Sequence, residues 1–390
     1  MKILLLGVGM QGKAALYDLV NSPDVSQIIA ADINYDSLRE YADQLQTPKL
    51  KTVKLDVRDD QAVIKEMRQV QAVIILLSQE FRENLVKLAI ESGIHLIETS
   101  YSLPAYEDLG IAAKTKDLSI LPECGLDPGI DLVLAGRAIR EFDLVRALHV
   151  YGTGVPEPEA ANNPIKYKIS WTFAGVLGAY QRPVRMLKGG QVVDLSPIEM
   201  FDKSNIHMVD MEGLGLMEAY YNGDAVKFLD IFGIKDTTTD TGRYSLRWPG
   251  HAEFWTKMVG LGFLADEPVR VGGHEISPRQ FVHDLLSPQL QYEENERDIA
   301  AIRVVVEGMK DGQSKRVIYQ MIDRRDLDTG LMAMQRTVGF TASIGAQMIL
   351  RGDIKQRGLL TPIHDIPSDI FIAELEKRGV QIQRQEKEIP

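Results

Sequence analysis

Apolar runs separated by amphipathic stretches organise the first third of the chain. KILLLGVG (residues 2–9), QIIAAD (27–32), QAVIILLS (71–78) and HLIETS (95–100) are aliphatic with little polar alternation. A strand covered on both faces has no solvent side on which to place polar residues, so these runs predict a buried parallel sheet. LKTVKLDVRD (50–59) and LSILPECG (118–125) read as two more strands. KAALYDLVNS, DDQAVIKEMRQ and ENLVKLAIESG lie between runs and have helical spacing, which DLVLAGRAIREF (131–142) continues. Alternating strands and helices predict a doubly wound α/β unit, with helices packed on both faces of the sheet.

The texture then changes, with fewer strand–helix repeats and more aromatic residues. AIRVVVEGMKDGQSKRVIYQMID (301–323) reads as two strands around Lys310-Asp311-Gly312-Gln313, a hairpin, so a mixed or antiparallel sheet is expected there. Residues 152–175 begin rich in Gly, Pro and Asn and are expected to form a long functional loop. After DRRDLDTG, the apolar, weakly amphipathic LMAMQRTVGFTASIGAQMILRG (331–352) predicts a long buried helix. At 390 residues the chain exceeds the size of a single core. The expectation is a first domain over 1–125 and a second, α+β domain over 126–330. A helical segment, 331–390, is expected to return to the first domain, with a cleft between the two parts.

Composition narrows the partners. Acidic residues outnumber basic ones 55 to 44, giving a net charge of −11, which disfavours nucleic acid because that binding neutralises phosphates with Lys and Arg. A small cationic substrate suits this balance better. No run reaches membrane-span length, and Gly7, Gly9 and Gly12 interrupt the N-terminal apolar run, so no membrane partner and a cytoplasmic location are expected. Cys124 alone cannot form an internal disulfide, and the seven histidines are scattered without metal-ligand spacing, so no metal is expected. The second domain's sheet is expected to offer a face for a homo-oligomer, a dimer or higher.

The most specific local chemistry is G-x-G-x-x-G at Gly7, Gly9 and Gly12, directly after a strand and opening a helix. Here the backbone must turn sharply, approach a pyrophosphate and pack the helix on the strand. The motif therefore predicts a Rossmann-type fold, with Gly7, Gly9, Met10, Gln11 and Gly12 around the phosphates. Asp32 ends the second strand twenty residues beyond Gly12, where a carboxylate accepts the ribose hydroxyls. The alternative for Asp32 is a cap on the helix starting near Asp36. A 2′-phosphate would meet its like charge, and Ile33-Asn34-Tyr35 supplies no cation, so NAD is expected over NADP. Asp56 and Val57 are expected near the adenine, and Leu77, Ser78 and Thr99 nearer the nicotinamide.

ECGLDPGIDLV (123–133) is either a helix start, with Asp127 as cap and Pro128 at the first helical position, or a corner of an active site. Asp131 lies one turn on, and Cys124 reads as a small packed side chain. In the second domain Asn163, Lys168, Ser170 and Trp171 form one polar and aromatic group. Arg247 and His251, in SLRWPGHAEFW, form another. Arg247 offers a planar fork for a carboxylate, and His251 titrates near neutrality. Surface pairing for Arg247 and helix capping for His251 remain the structural alternatives.

Taken together, the glycine fingerprint, ETSY (98–101), GLDPGID (125–131), NNPIKYKISW (162–171) and LRWPGH (246–251) resemble, in order, segments of the saccharopine dehydrogenase superfamily. The resemblance covers essentially the whole chain. It implies NAD-linked oxidation of the ε-amine of L-lysine to 2-aminoadipate 6-semialdehyde and ammonia, the aldehyde cyclising to a piperideine carboxylate. Asp127 and Tyr101 would bind substrate together with Asn163, Ser170, Trp171 and Arg247. His251 or a Lys168 of lowered pKa would act as base. The rivals are an NADPH-linked saccharopine or carboxyspermidine-type reductase and an inactive nucleotide sensor. Reductases of the superfamily generally carry basic or hydroxyl residues where this chain has Asp32.

Overall fold

The computed structural model describes residues 1–390, which divide into two compact units. One comprises Met1–Leu134 and Gln335–Gln381, the other Ala135–Met334 and Ile382–Pro390.

The apolar runs do form one parallel sheet in the first unit. Its seven strands lie in the order Gly358–Leu359, Ser119–Leu121, His95–Glu98, Ala72–Ile75, Lys2–Leu6, Gln27–Asp32 and Leu50–Lys54. Ile3, Leu4, Leu5 and Leu6 are all fully buried, as a strand covered on both faces requires. Lys2–Leu6 pairs with Gln27–Asp32 on one side and Ala72–Ile75 on the other. Strand order reverses at this point, so the carboxyl ends of these strands form the crevice where such sheets take their ligands.

Residues 335–381 are integral to this unit. The helix Ala333–Arg351 brings Gly339 so near the first helix, Met10–Asn21, that a Cβ there would lie 2.6 Å from the Ala15 nitrogen. Arg378 holds the buried Asp18 through two nitrogens, at 2.6 and 3.1 Å. Gly358–Leu359 extends the sheet beside Ser119–Leu121.

The second unit is built on a nine-stranded mixed sheet. Its path runs His207–Met211, Gly215–Tyr221, Asp240–Arg247, Leu144–Pro156, Asp298–Lys310, Gln313–Arg324 and Ile382–Glu388. Asp240–Arg247 and Leu144–Pro156 are parallel neighbours, while the hairpin strands 298–310 and 313–324 pair antiparallel as expected. Asp311 and Gly312 both have positive φ, 53° and 74°, the geometry of a two-residue turn whose twist matches its strands.

Two expectations about extent change. The strand Leu144–Pro156 takes the first residues of the segment assigned to a loop, and the helix Phe173–Ala179 takes the last. What remains between them, 157–172, is irregular apart from one short 3-10 turn at Pro158–Ala160. The last residues do not stay with the first unit. Ile382–Glu388 is an edge strand of the second sheet, where Lys315 and Glu386 pair across strands at 3.0 Å. An edge strand exposed on its surface needs no apolar alternation, so IQRQEKE carries no periodic signal.

Candidate functional site

The fingerprint loop shows a division of labour among its glycines. A Cβ on Gly12 would lie 2.1 Å from the Gly7 carbonyl oxygen, and one on Gly7 would lie 2.6 Å from the Leu76 oxygen. Both are demanded by packing, and Gly7 also by its φ of +90°. Around Gly9, in contrast, a Cβ would meet nothing within 4 Å. Protein packing therefore gives no reason for glycine there, whereas the close approach of a phosphate to the start of the helix Met10–Asn21 does.

Asp32 is not a helix cap. That place belongs to Asn34, whose side chain accepts the Ser37 N–H. Instead Asp32 accepts the Val8 N–H at 2.7 Å with one oxygen and the Asn34 N–H at 2.8 Å with the other. The carboxylate thus clamps the fingerprint loop to the tip of its strand, with lone pairs left over for a ribose diol. These residues fit a dinucleotide. Met10 and Gln11 open the helix, and Gln11 Oε1 is buried without a hydrogen-bond partner. Leu77 packs against the core, and Ser78 stands at the N-cap of the helix Gln79–Ser92. Val57 also packs on that core, while Asp56 is held by the Arg58 guanidinium at 2.6 Å, which brings its carboxyl down to about 2.

Beyond the next strand end, two motifs are stitched together by backbone. Cys124 N–H donates to Glu98 O at 2.9 Å and Glu123 N–H to Ser100 O at 3.0 Å. Gly125 fits so closely that a Cβ would come 3.1 Å from Thr99 O. This places Tyr101, whose hydroxyl donates to Asp127 Oδ1 at 3.1 Å. The capping role expected for Asp127 is not observed. The helix starts at Ile130, the Asp127–Pro128 peptide is cis and precedes it, and the Ile130 and Asp131 N–H groups donate to the Gly125 and Leu126 carbonyls. Asp131 is the carboxylate that fastens the turn, accepting the Gly129 N–H at 2.7 Å. Behind the corner, Arg82 Nη1 lies 3.0 Å from both oxygens of Glu98 in a fully buried pair. Burial pushes Glu98 up to about 7 against the pull of Arg82. Cys124 is packed and inert, its thiol raised to about 12 by burial.

The second unit buries Lys168, Ser170, Arg247 and His251, and Arg247 and His251 pack on the rings of one aromatic cluster. Arg247 ends the strand Asp240–Arg247 and lies over the rings of Tyr167 and Tyr220, at 5.4 and 6.0 Å. Its Nη1 donates to the Leu246 carbonyl, its Nε has no partner, and no carboxylate pairs with it. Surface pairing, the alternative for Arg247, is therefore ruled out. His251 Nε2 is 2.8 Å from the Tyr180 hydroxyl, and its ring stacks on Tyr220 at 5.9 Å. Burial, helped by the Arg247 charge, holds His251 well below its ordinary pKa, so the ring is neutral. His251 does not cap its helix either. Glu218, on the strand Gly215–Tyr221, accepts the Gly250 and Ala252 N–H groups at 3.1 and 2.6 Å.

Lys168 has a counter-ion that nothing in its own segment foretells. Its Nζ is 2.5 Å from Glu296 Oε2, with side chains only 6% and 16% exposed. The uncompensated burial required of a lysine base is therefore not what surrounds it. Burial favours the protonated form of Glu296, but Lys168, the Glu293 N–H and Asn162 outweigh it and hold the carboxyl below its usual range.

Asn163 is spent on its own loop, donating to Tyr167 O at 2.7 Å and accepting the Ile165 and Tyr167 N–H groups. Trp171 packs against Gly175 and the same cluster. Ser170 Oγ and the hydroxyls of Tyr167, Tyr220 and Tyr292 are buried with no hydrogen-bond partner. Nearly all buried polar atoms in folded proteins are paired, so the unpaired Tyr167 and Tyr220 hydroxyls, under a guanidinium that has no carboxylate partner, are groups available to a ligand.

Sequence reasoning missed Glu296, Glu218, Tyr180 and the Arg82–Glu98 pair. Glu296 sits in a polar stretch, EENERD, 128 positions from Lys168, with no motif to flag it. Glu218 reads as an ordinary strand residue until its helix is seen.

The chain matches the family model described as Saccharopine dehydrogenase NADP binding domain over residues 3–119, and Saccharopine dehydrogenase C-terminal domain over 125–380. It is 26% identical to the saccharopine dehydrogenase [NADP(+), L-glutamate-forming] of Saccharomyces cerevisiae, covering 98% of each chain. It is also 26% identical to the alpha-aminoadipic semialdehyde synthase of Arabidopsis thaliana, of which it spans 37% while 84% of this chain is covered. The apo structure of histidine-tagged saccharopine dehydrogenase (L-Glu forming) from Saccharomyces cerevisiae superposes with a TM-score of 0.87 at 25% identity, over 99% of each chain. With two adjoining family models spanning nearly its whole length, over a parallel dinucleotide-type sheet and a mixed sheet, the chain belongs to the saccharopine dehydrogenase family of oxidoreductases.

Proposed function

We propose that the protein oxidises a lysine-derived amino acid at the carbon bearing its ε-nitrogen, passing the hydride to a nicotinamide dinucleotide. The observation that carries this reading is Arg247, a buried guanidinium with no carboxylate partner among unpaired tyrosine hydroxyls. A planar fork of this kind takes an amino acid's carboxylate through two hydrogen bonds. In the first unit Asp127, which accepts the Tyr101 hydroxyl, is a carboxylate suited to an amine.

The bound dinucleotide supplies the hydride acceptor. The chain's residues must supply orientation and proton control. An ε-ammonium has a pKa of about 10.4 and must lose its proton before hydride can leave the ε-carbon. His251 is neutral but weakly basic, so it is better suited to holding Tyr180 in place than to taking that proton. The imine formed on the substrate then adds water and collapses to an aldehyde, releasing the nitrogen with whatever it carries.

That nitrogen separates two readings. In the first, expected from the sequence, it carries only hydrogen, the substrate is L-lysine, the acceptor is NAD, and the protein is a lysine 6-dehydrogenase. Asp32 favours this NAD form, since no cation follows it to receive a 2′-phosphate. In the second, the nitrogen carries the glutamate arm of saccharopine and the acceptor is NADP. The names of the relatives support this second reading better than the first. The common step is oxidation of the ε-carbon.

One assay tests both forms. Purified protein is given L-lysine or saccharopine, each with NAD or NADP, while reduced nicotinamide is followed by absorbance. NAD reduction with lysine and release of ammonia supports the first form. NADP reduction with saccharopine and release of glutamate supports the second. Silence in all four mixtures overturns the proposal.

A further inference from the structure

We infer that Glu296 sets the charge selectivity of the second unit's site, by cancelling Lys168 so that Arg247 is left as the cation that recognises a carboxylate. The inference deepens the reading of this cluster as the substrate site and rests on it.

Two cations face one group of unpaired hydroxyls. Arg247 lies over Tyr167, and Lys168, the next residue, has its Nζ 5.9 Å from the Tyr292 ring centre. Tyr292 senses both ends of the group. Burial raises its hydroxyl pKa, Asp298, Tyr167 and Glu296 add to the rise, and the Arg247 charge opposes it. Arg247 has no carboxylate on it, whereas Lys168 has Glu296 at 2.5 Å.

Glu296 is itself fixed on three sides. Its Oε2 accepts the Glu293 N–H at 2.7 Å as well as Lys168, and its Oε1 accepts from Asn162 at 3.3 Å. A carboxylate held in this way does not swing aside for an incoming anion. A substrate carboxylate beside Lys168 would have to compete with a preformed, largely buried ion pair, while one at Arg247 meets an open fork. The arrangement therefore favours an amine with one carboxylate within reach, and penalises one whose second acidic arm needs Lys168.

Glu296 is not a catalytic residue on this account. It acts through Lys168, and the readout must be one that a structural role would not move.

The probe is glutarate, a dicarboxylate, titrated by calorimetry into the full chain and its variants. Glu296→Gln keeps the shape and one acceptor oxygen for the Glu293 N–H, gives up the oxygen that accepts from Asn162, and frees the Lys168 charge. It is expected to bind glutarate about tenfold more tightly than the wild type, the order expected of one uncancelled charge in a partly buried site. Lys168→Met, which leaves Glu296 uncancelled, is expected to bind about tenfold more weakly. The double variant is expected to return to within a few-fold of the wild type. Raising the salt should shrink these differences only partly, because the pair is buried.

Equal affinity in wild type and Glu296→Gln, or a gain that survives in the double variant, overturns the inference. Should Glu296→Gln not fold, an unchanged affinity in Lys168→Met overturns it alone. Turnover with lysine and saccharopine is measured separately. Absence of all turnover sinks the proposed reaction, while the glutarate titration still decides the role of Glu296.

Discussion

The three glycines of the fingerprint look equivalent in sequence but stand in different surroundings, and substitution separates them. A Cβ on Gly12 collides with backbone at 2.1 Å, whereas one on Gly9 meets nothing within 4 Å. Gly12→Ala is thus expected to destabilise the first unit by several kcal/mol, the range for backbone collisions that cannot relax. Gly9→Ala is expected to keep the melting temperature within a few degrees yet weaken dinucleotide binding at least tenfold, because the methyl group would occupy the phosphate's approach. Thermal melts without dinucleotide and with NAD or NADP check both. Equal melting temperatures for the two variants would refute the assignment.

His251 offers a second test at this scale. Its folded pKa lies well below the unfolded value of about 6.5, so below that pH the unfolded chain binds a proton that the native chain does not. Its contribution to stability is therefore lost as pH falls from about 6.5, at up to ~1.4 kcal/mol per pH unit. Glu98 and Asp298 act in the opposite direction, because burial raises them to about 7 and about 6 in the native state. The difference between wild type and His251→Gln isolates the imidazole. In urea titrations between pH 7 and 5, the variant is expected to lose less stability than the wild type, and parallel losses would contradict a buried neutral ring. For the same reason His251 should contribute no ionisation near 6.5 to the pH profile of kcat/KM.

At the scale of elements, one helix start in each unit sets the arrangement of that unit's candidate residues. The helix His251–Gly260 starts after Gly250, whose φ is +100°, and its first N–H groups are taken by Glu218 from a neighbouring strand. Glu218→Ala removes both bonds, and its cost is expected to be ~1–2 kcal/mol, as for loss of a helix cap. Glu218→Gln, which keeps one acceptor, should recover part of that in urea unfolding, and no difference between the two would mean that the cap is dispensable. The other helix, Ile130–Ile139, shows where local signals mislead. Asp-Pro-Gly ahead of an apolar run fits a capped helix with proline in its first turn, yet it also fits the tight turn that is found, with the helix starting at Ile130 and Asp127 accepting the Tyr101 hydroxyl. Parallel strands and the fingerprint were legible because their determinants lie within a few residues of each other. The Lys168–Glu296 and Arg82–Glu98 pairs were not, since burial and chain return create them and no spacing encodes them.

For the molecule as a whole, neither unit is a continuous stretch of the chain. The first unit is completed by residues 335–381, and the second by 382–390. The apolar, poorly amphipathic sequence of 331–352 announces burial, but it names no partner, and the polar end strand announces nothing. In the first unit the return supplies a helix in backbone contact with the fingerprint helix at Gly339, a glycine at position 345 where a Cβ would lie 2.6 Å from Cys124 Sγ, and the Arg378 clasp on Asp18. Losing this segment strips apolar cover from one face of the parallel sheet and leaves Asp18 buried or half-buried without its guanidinium, a loss larger than the net stability of an ordinary domain. A chain ending at Met334 is therefore expected to be insoluble or to melt without a cooperative transition, and to give no rise in melting temperature with NAD or NADP, even though it keeps the entire glycine fingerprint and Asp32. Adding 335–381 back as a separate peptide is expected to restore dinucleotide binding in part, because the contacts it makes are native ones. If instead residues 1–334 fold cooperatively and gain as much from NAD or NADP in melting temperature as the full chain, the returning segment is an accessory and the first unit is complete without it.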